Sequence, residues 1–184
     1  MKEIDQAGCV QPAVLDFSKA FDKVSHSPLV RKLSSFGFPN DVLSWILDFL
    51  SNKKQRVVLS SKDKAVTSGV PQGSVLGPAL FLLYINDIGL CLKSTIRLYA
   101  DDVLLHYPIT NTSSVEAFQK DLDSLERWAR EWQMSFNTSK CFVMIFGSTS
   151  AVNILDLQYK LNNTVLQRAN SIKYLGVNIT VNFN

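Results

Sequence analysis

Apolar and polar positions along this chain change their period several times, and each change marks an element. Ala13-Val14-Leu15 is an apolar run that ends on Asp16, which reads as a strand with a carboxylate at its C-terminal end. Ser27-Pro28 then marks a helix start, with Ser as N-cap and Pro at the first helical position, and Gly37 is the stop. A second helix follows Asn40, with Val42, Leu43, Trp45, Ile46, Phe49 and Leu50 at helical spacing. Residues 56–59 and 65–67 predict two short strands around a turn at 60–63.

From residue 68 to residue 78 the texture changes. Gly69, Gly73 and Gly77 recur every four residues, with Pro71 and Pro78 among them, which predicts a loop feeding a helix. That helix runs through Phe81, Leu82, Tyr84, Ile85 and Ile88. Residues 96–99 and 103–107 are apolar runs separated by Ala100-Asp101-Asp102, a hairpin with acidic residues at its tip. The longest helix opens on a Ser113/Glu116 capping box. Val115, Phe118, Leu122, Leu125, Trp128 and Trp132 follow in steps of three or four. Residues 141–146 read as one buried strand, and hairpins close the chain around Asn162-Asn163 and Tyr174-Leu175-Gly176.

The order strand, helices, helix, hairpin, helix, strand predicts an α+β domain over residues 1–184. Its core is an antiparallel sheet backed by helices on one face, the split β-α-β (ferredoxin-like) arrangement. Such a sheet lets the end of the first strand lie beside the hairpin tip.

Composition changes this picture little. With 46% hydrophobic and 19% charged residues the chain has material for a core, which excludes global disorder. Nineteen basic against sixteen acidic residues leave +3, which permits a nucleic-acid partner without requiring one. Cys9, Cys91 and Cys141 fit neither a disulfide framework nor a zinc spacing, so a reducing compartment is expected. The opening residues show no secretory signal, and the Asn-x-Ser/Thr triplets at Asn111, Asn137, Asn162 and Asn178 are then chance matches. The apolar stretch 75–92 is broken by Pro78, Asn86 and Asp87, and reads as a buried helix rather than a membrane span.

The chemistry lies in the carboxylates. Asp16 ends an apolar strand and Asp101-Asp102 sit between two others. Like charges on an apolar hairpin repel unless cations neutralise them. Oxygen-only ligands suit a hard cation such as Mg²⁺, and two such ions can clamp the attacking and leaving oxygens of a phosphoryl displacement. A plain polar turn accounts for the same residues, and the pattern alone leaves both readings open.

Longer motifs separate them. Residues 15–22 (Leu-Asp-Phe-Ser-Lys-Ala-Phe-Asp) resemble motif A of reverse transcriptases. Residues 68–78 (Ser-Gly-Val-Pro-Gln-Gly-Ser-Val-Leu-Gly-Pro) resemble motif B, and Tyr99-Ala100-Asp101-Asp102 resembles motif C. Residues 132–140 are similar to motif D and Lys173-Tyr174-Leu175-Gly176 to motif E. All five stand in family order, and their wording is most like non-LTR (LINE-type) retrotransposons of the jockey group. The resemblance implies a polymerase palm that is an RNA-directed DNA polymerase, with an RNA template, a DNA primer and deoxynucleoside triphosphates as partners.

The same resemblance implies the site. Asp16 and Asp101 are the main ligands of two Mg²⁺ ions, which Mn²⁺ can replace, with Asp102 auxiliary and the Phe17 carbonyl a further ligand. Phe21 stands at the sugar gate, where a rigid ring would clash with a ribose 2′-hydroxyl. Gln72 and Gly73 lie beside the nascent base pair, and Lys140 donates a proton to pyrophosphate or pairs with the triphosphate. Tyr174, Leu175 and Gly176 form the primer grip. His26 and His106 lack companions at ligand spacing and read as satisfied or surface histidines. The cluster Lys53, Lys54 and Arg56 either touches phosphates or solvates a helix end.

Fifteen residues precede Asp16 and eight follow Gly176, so fingers and thumb are expected to be largely missing and isolated activity low. A group II intron-like or viral palm is the alternative within the class. Viral RNA-dependent enzymes typically carry Asp at the Phe21 position and Gly at the Ala100 position, so both residues here favour the reverse transcriptase. An inactive remnant that only binds nucleic acid or a partner is the alternative outside it. The expected location is intracellular, nuclear and cytoplasmic.

Overall fold

The computed structural model describes residues 9–51, 54–56, 63–65, 68–147 and 157–181. In chain order its elements are β1 (Cys9–Asp16), α1 (His26–Ser35), α2 (Asn40–Ser51), β2 (Lys54–Arg56), β3 (Asp63–Ala65) and α3 (Leu76–Ile85). They continue with β4 (Thr95–Tyr99), β5 (Asp102–Pro108), α4 (Thr112–Glu131), β6 (Phe142–Val143) and β7 (Phe146–Gly147). The last are β8 (Lys160–Leu161), β9 (Thr164–Val165), β10 (Gln167–Arg168), β11 (Ser171–Tyr174) and β12 (Val177–Thr180). They fall into two compact units. One takes Met1–Ser18, Gly89–Ala129 and Ser135–Asn184; the other takes Lys19–Ile88 and Arg130–Met134.

The first unit is built on a sheet of order β10-β6-β1-β5-β4, with β7 also on β1. Central β1 alternates in burial, with Ala13 and Leu15 inside and Pro12, Val14 and Asp16 half-buried. It pairs antiparallel with β5 from Val10 to Asp16, Leu15 facing Val103 and Asp16 facing Asp102. The sheet is antiparallel as expected, except that β10 joins β6 in parallel. Helix α4 buries Phe118, Leu122, Leu125 and Ala129, one stripe of a 3.6-residue period. Phe118 meets Tyr159 edge to face (4.9 Å), and Tyr159 donates to Gln11 of β1, so the stripe reaches the sheet.

Two expectations in this unit are corrected. Residues 141–146 form not one strand but β6 and β7, in a single register along β1. The break falls opposite Pro12, which has no N–H to complete its pair with Met144. Only the bond from the Met144 N–H to the Pro12 carbonyl (2.9 Å) is made there. The capping box of α4 is also two residues earlier than expected. Asn111 Oδ1 accepts the Ser114 N–H (3.0 Å) and Ser114 Oγ accepts the Asn111 N–H (3.1 Å), so Ser114 does what Glu116 was expected to do.

The second unit is helical. Helix α1 begins at His26 after Ser25, not at Pro28, and Pro28 is tolerated because the first turn has no intrahelical acceptor to lose. It ends as expected: Gly37 (φ +83°) follows Phe36, and the N–H groups of Gly37 and Phe38 return to the Ser34 and Leu33 carbonyls. The hairpin of β2 and β3 pairs Lys54 with Ala65 and Arg56 with Asp63, so its strands begin earlier than expected. The remainder of the expected strands, at 57–59 and 66–67, and Lys53 lie outside the described residues. Helix α3 stops at Ile85, short of the expected Ile88, which is nonetheless buried in the following turn. None of the described helices is long and apolar enough to cross a membrane.

Candidate active site

The sheet unit gathers the acidic residues. Asp16 and Asp102 are directly opposed across the β1–β5 ladder, which puts both side chains on one face, opposite to buried Leu15 and Val103. Asp101 occupies the two-residue turn between β4 and β5, since Tyr99 pairs with Asp102. The turn's other residue, Ala100, has φ +51°, a conformation that glycine adopts freely and alanine does not. Like charges directly opposed across a ladder destabilise it. Burial pushes the Asp102 carboxyl above its ordinary value, and Asp101 and Asp16 push it further. Asp16 is raised chiefly by burial, with Lys140 opposing the shift and Asp101 adding to it.

Segment 135–141 fixes Asp16 from its other side. The Asn137 N–H donates to the Asp16 carbonyl (2.8 Å) and the Ser18 N–H to the Ser135 carbonyl (2.8 Å). These bonds frame the bridge between Phe17 and Phe136, whose rings stack at 4.6 Å. Because Asp16 and Ser18 use the edge facing this segment, the Phe17 carbonyl falls on the opposite edge, that of β5. The Asp16 N–H meets the buried Cys141 Sγ at 3.5 Å, and burial pushes the Cys141 thiol up to about 11. Lys140 Nζ stands 3.8 Å from Asp16 Oδ2; with 67% of its side chain exposed, the pair contributes little.

The ammonium shown beside these three carboxylates, among the described residues, is that of Lys140, and it faces Asp16. Among the described residues no three His, Cys, Asp or Glu side chains enclose a ready metal cage. The set is open, and its donors are all hard oxygens. That suits Mg²⁺, which keeps several waters and binds through one or two carboxylates plus substrate phosphates. Tyr174, at the end of β11, is raised by burial and by the charge of Asp102, so the terminal ribbon lies within the field of the carboxylates. Its turn, Leu175 (φ +49°) and Gly176 (φ +81°), leaves Leu175 exposed.

Phe21, Gln72 and Gly73 belong to the helical unit. The half-buried Phe21 ring stacks on Phe81 of α3 at 4.6 Å. Gln72 and Gly73 are exposed in the turn before α3, Gly73 at φ +83°. Ser74 Oγ braces this turn, donating to the Pro71 carbonyl (2.7 Å) and accepting from the Gly77 N–H (2.9 Å). A Cβ on Gly77 would stand 2.5 Å from the Pro71 carbonyl, so only glycine fits.

The sequence pattern gave no role to Cys141 or Lys32, and His26 is a satisfied histidine, one of the two readings it allowed. Cys141 supports Asp16, His26 bonds Gly69, and Lys32 lies buried against Asp87 and Trp132. Only Lys32 carried a signal, a lone cation on the apolar face of an amphipathic helix.

A mixed α+β sheet with a carboxylate pair at its centre is the frame of a polymerase palm. The chain belongs to the family described as Reverse transcriptase (RNA-dependent DNA polymerase), whose profile matches residues 4–179. It is 33% identical over 175 residues to the RNA-directed DNA polymerase from mobile element jockey of Drosophila funebris, covering 89% of this chain and 19% of the relative. The jockey polymerase of Drosophila melanogaster is 31% identical over 186 residues, covering 91% and 19%. The chain thus spans about a fifth of the length of these curated relatives. Among solved structures, telomerase from Candida albicans with a TWJ fragment of telomeric RNA aligns with a TM-score of 0.65. It is 14% identical and covers 97% of this chain and 32% of that one, a likeness of fold.

Proposed function

We propose that residues 1–184 are the palm-centred reverse transcriptase domain of a non-LTR, jockey-like retrotransposon polymerase. It adds deoxynucleotides to a DNA primer 3′-end on an RNA template. The observation that carries this reading is the facing of Asp16 and Asp102 with Asp101 in the adjoining turn, in a chain of this family. Among the described residues the cation shown at these carboxylates is the exposed Lys140, beside Asp16, which supports a cluster able to take up a cation.

In this reading Asp16, Asp101 and Asp102, with the Phe17 carbonyl, hold two Mg²⁺ ions, for which Mn²⁺ can substitute. When bound, they supply activation of the primer 3′-hydroxyl and stabilisation of departing pyrophosphate. The chain's own residues do the rest. Phe21, held by its stack on Phe81, excludes a ribose 2′-hydroxyl. Gln72 offers an uncharged amide to the nascent pair, and Gly73 lets the backbone approach it. Lys140 carries the proton that leaves with pyrophosphate. Tyr174, Leu175 and Gly176 hold the primer end. Nuclear and cytoplasmic location follows from this role.

The test is incorporation of one deoxynucleotide on an RNA template by this chain with Mg²⁺. Processive synthesis is not required of a chain a fifth as long as its relatives. Labelled product that disappears in Asp101→Asn is the expected result. The reading fails if wild type yields no product at any Mg²⁺ or Mn²⁺ concentration, or if the variant matches it.

A further inference from the structure

His26 opens α1 and is buried, with 7% of its surface exposed. Its Nε2 stands 2.8 Å from the Gly69 carbonyl. A carbonyl only accepts, so Nε2 carries the hydrogen, a condition that the neutral Nε2–H tautomer and the imidazolium both satisfy. The bond ends on the loop that leads to Gln72 and Gly73. It starts from the segment that carries Phe21.

Backbone contacts join the same two segments. The Gly69 N–H donates to the Val24 carbonyl (2.8 Å) and the Val70 N–H to the Phe21 carbonyl (2.9 Å). Ser25 and Ser68 form an antiparallel bridge. Gly69 has φ +97°, and a Cβ there would lie 3.2 Å from the Asp22 carbonyl oxygen and 3.3 Å from its Cα. The two main chains touch, so a shift of the loop is a shift relative to Phe21. The ring of Phe21 is itself held by Phe81. Backbone bonds of this kind form with many sequences, whereas the His26 contact depends on one side chain.

We infer that His26 is a positioning residue for nucleotide selection: by holding the Gly69 carbonyl it sets the 68–73 loop against the main chain of Phe21. This rests on the proposed roles of Phe21, Gln72 and Gly73. The residue touches no substrate and acts through the loop alone. Glutamine can donate an amide N–H to the same carbonyl, whereas alanine leaves it without that donor.

The experiment compares wild type, His26→Ala and His26→Gln in two arms. The first measures amide hydrogen exchange at Gly69 and Val70 by NMR, alongside thermal unfolding, and needs no catalysis. His26→Ala is expected to lose about fivefold to tenfold of the protection at these amides, as for one hydrogen bond, and His26→Gln to regain most of it. Unchanged protection, or an equal loss throughout α1 and α3, overturns the inference. The second arm measures single-nucleotide incorporation with deoxy- and ribonucleotides. His26→Ala is expected to raise KM for deoxynucleotide and lower the deoxy-to-ribo preference more than it lowers kcat, with rescue by His26→Gln. Loss of protection with KM and sugar preference unchanged overturns the selective role. A wild-type chain that incorporates nothing refutes the polymerase reading instead, and the first arm still decides whether His26 holds the loop.

Discussion

The two units each confine charge, and they do so in opposite ways. In the helical unit Lys32 has a side chain only 2% exposed, yet its ammonium is surrounded by partners. It reaches Asp87 Oδ1 and the Tyr84 carbonyl at 2.6 Å each, and lies 3.5 Å from the centre of the Trp132 ring. Burial alone would favour loss of the proton and does lower the amine, while Asp87 opposes it. In the sheet unit Asp16, Asp101 and Asp102 are more hydrated, yet they lie close together, and among the described residues the cation shown beside them is the solvent-exposed Lys140 at Asp16. A charge whose partners are supplied by the fold is structural. Like charges that the fold brings together favour a cation from outside, which is the behaviour the proposed role of Asp16, Asp101 and Asp102 calls for.

The largest expected effect breaks the carboxylate side of that contrast. Asp101→Asn keeps the shape of the turn and removes a charge. It should lower single-nucleotide incorporation by at least ~10²-fold, the scale of losing one electrostatic stabiliser of a transition state. A primer-extension time course reads it directly. The equivalent change in the helical unit attacks folding instead. Lys32→Met leaves Asp87 without its buried partner and should cost about 2–3 kcal/mol, discounted because Asp87 is partly exposed. Adding Asp87→Leu should recover most of that loss in a urea titration. If the double change costs the sum of the two single changes, Lys32 and Asp87 are not coupled.

The contrast also explains what the sequence made legible. Short apolar runs placed β1, β4 and β5, with Asp16, Asp101 and Asp102 at their ends, because a two-residue turn leaves little freedom of register. The errors came where one residue acts through a distant neighbour. Pro12 splits β6 from β7 though it lies some 130 positions away, and no reading of 141–146 alone contains that information. Asn111 displaced Ser113 as the cap of α4 because Ser114, one residue after the expected cap, completes the reciprocal bond. The partners of His26, Lys32 and Cys141 are likewise 43, 55 and 125 positions away, respectively. Local pattern shows that such residues sit on an apolar face, but it does not show what they meet.

A third prediction sharpens the contrast through pH. Asp102 has a folded pKa above its ordinary value, so the folded chain binds more protons than the unfolded one as the carboxyl ionises. Stability should therefore fall as pH rises from the ordinary carboxyl value of 3.8 through the raised range, and the deficit should persist at neutral pH. Asp102→Asn should be more stable than wild type at pH 7 without added metal, with the gap closing towards pH 3.5. Adding Mg²⁺ should stabilise wild type more than the variant. Urea titrations across pH test all three, and a variant less stable than wild type at neutral pH would show that Asp102 is compensated after all.

The smallest effect concerns the turn that carries Asp101. Ala100 at φ +51° bears a steric penalty of ~1–2 kcal/mol, whereas glycine bears none but loses ~0.5–1 kcal/mol of chain entropy. Ala100→Gly should therefore stabilise the chain by no more than about 1 kcal/mol. The turn between β8 and β9 provides the comparison, because Asn162 (φ 52°) and Asn163 (φ 59°) tolerate the left-handed region. Asn163→Gly should change stability less than Ala100→Gly and leave nucleotide incorporation as it was. If Ala100→Gly raises stability yet slows incorporation, the strained alanine serves to hold Asp101 in place. If it raises both, the strain is incidental to the position of the carboxylate, and the β1–β5 register alone sets the site.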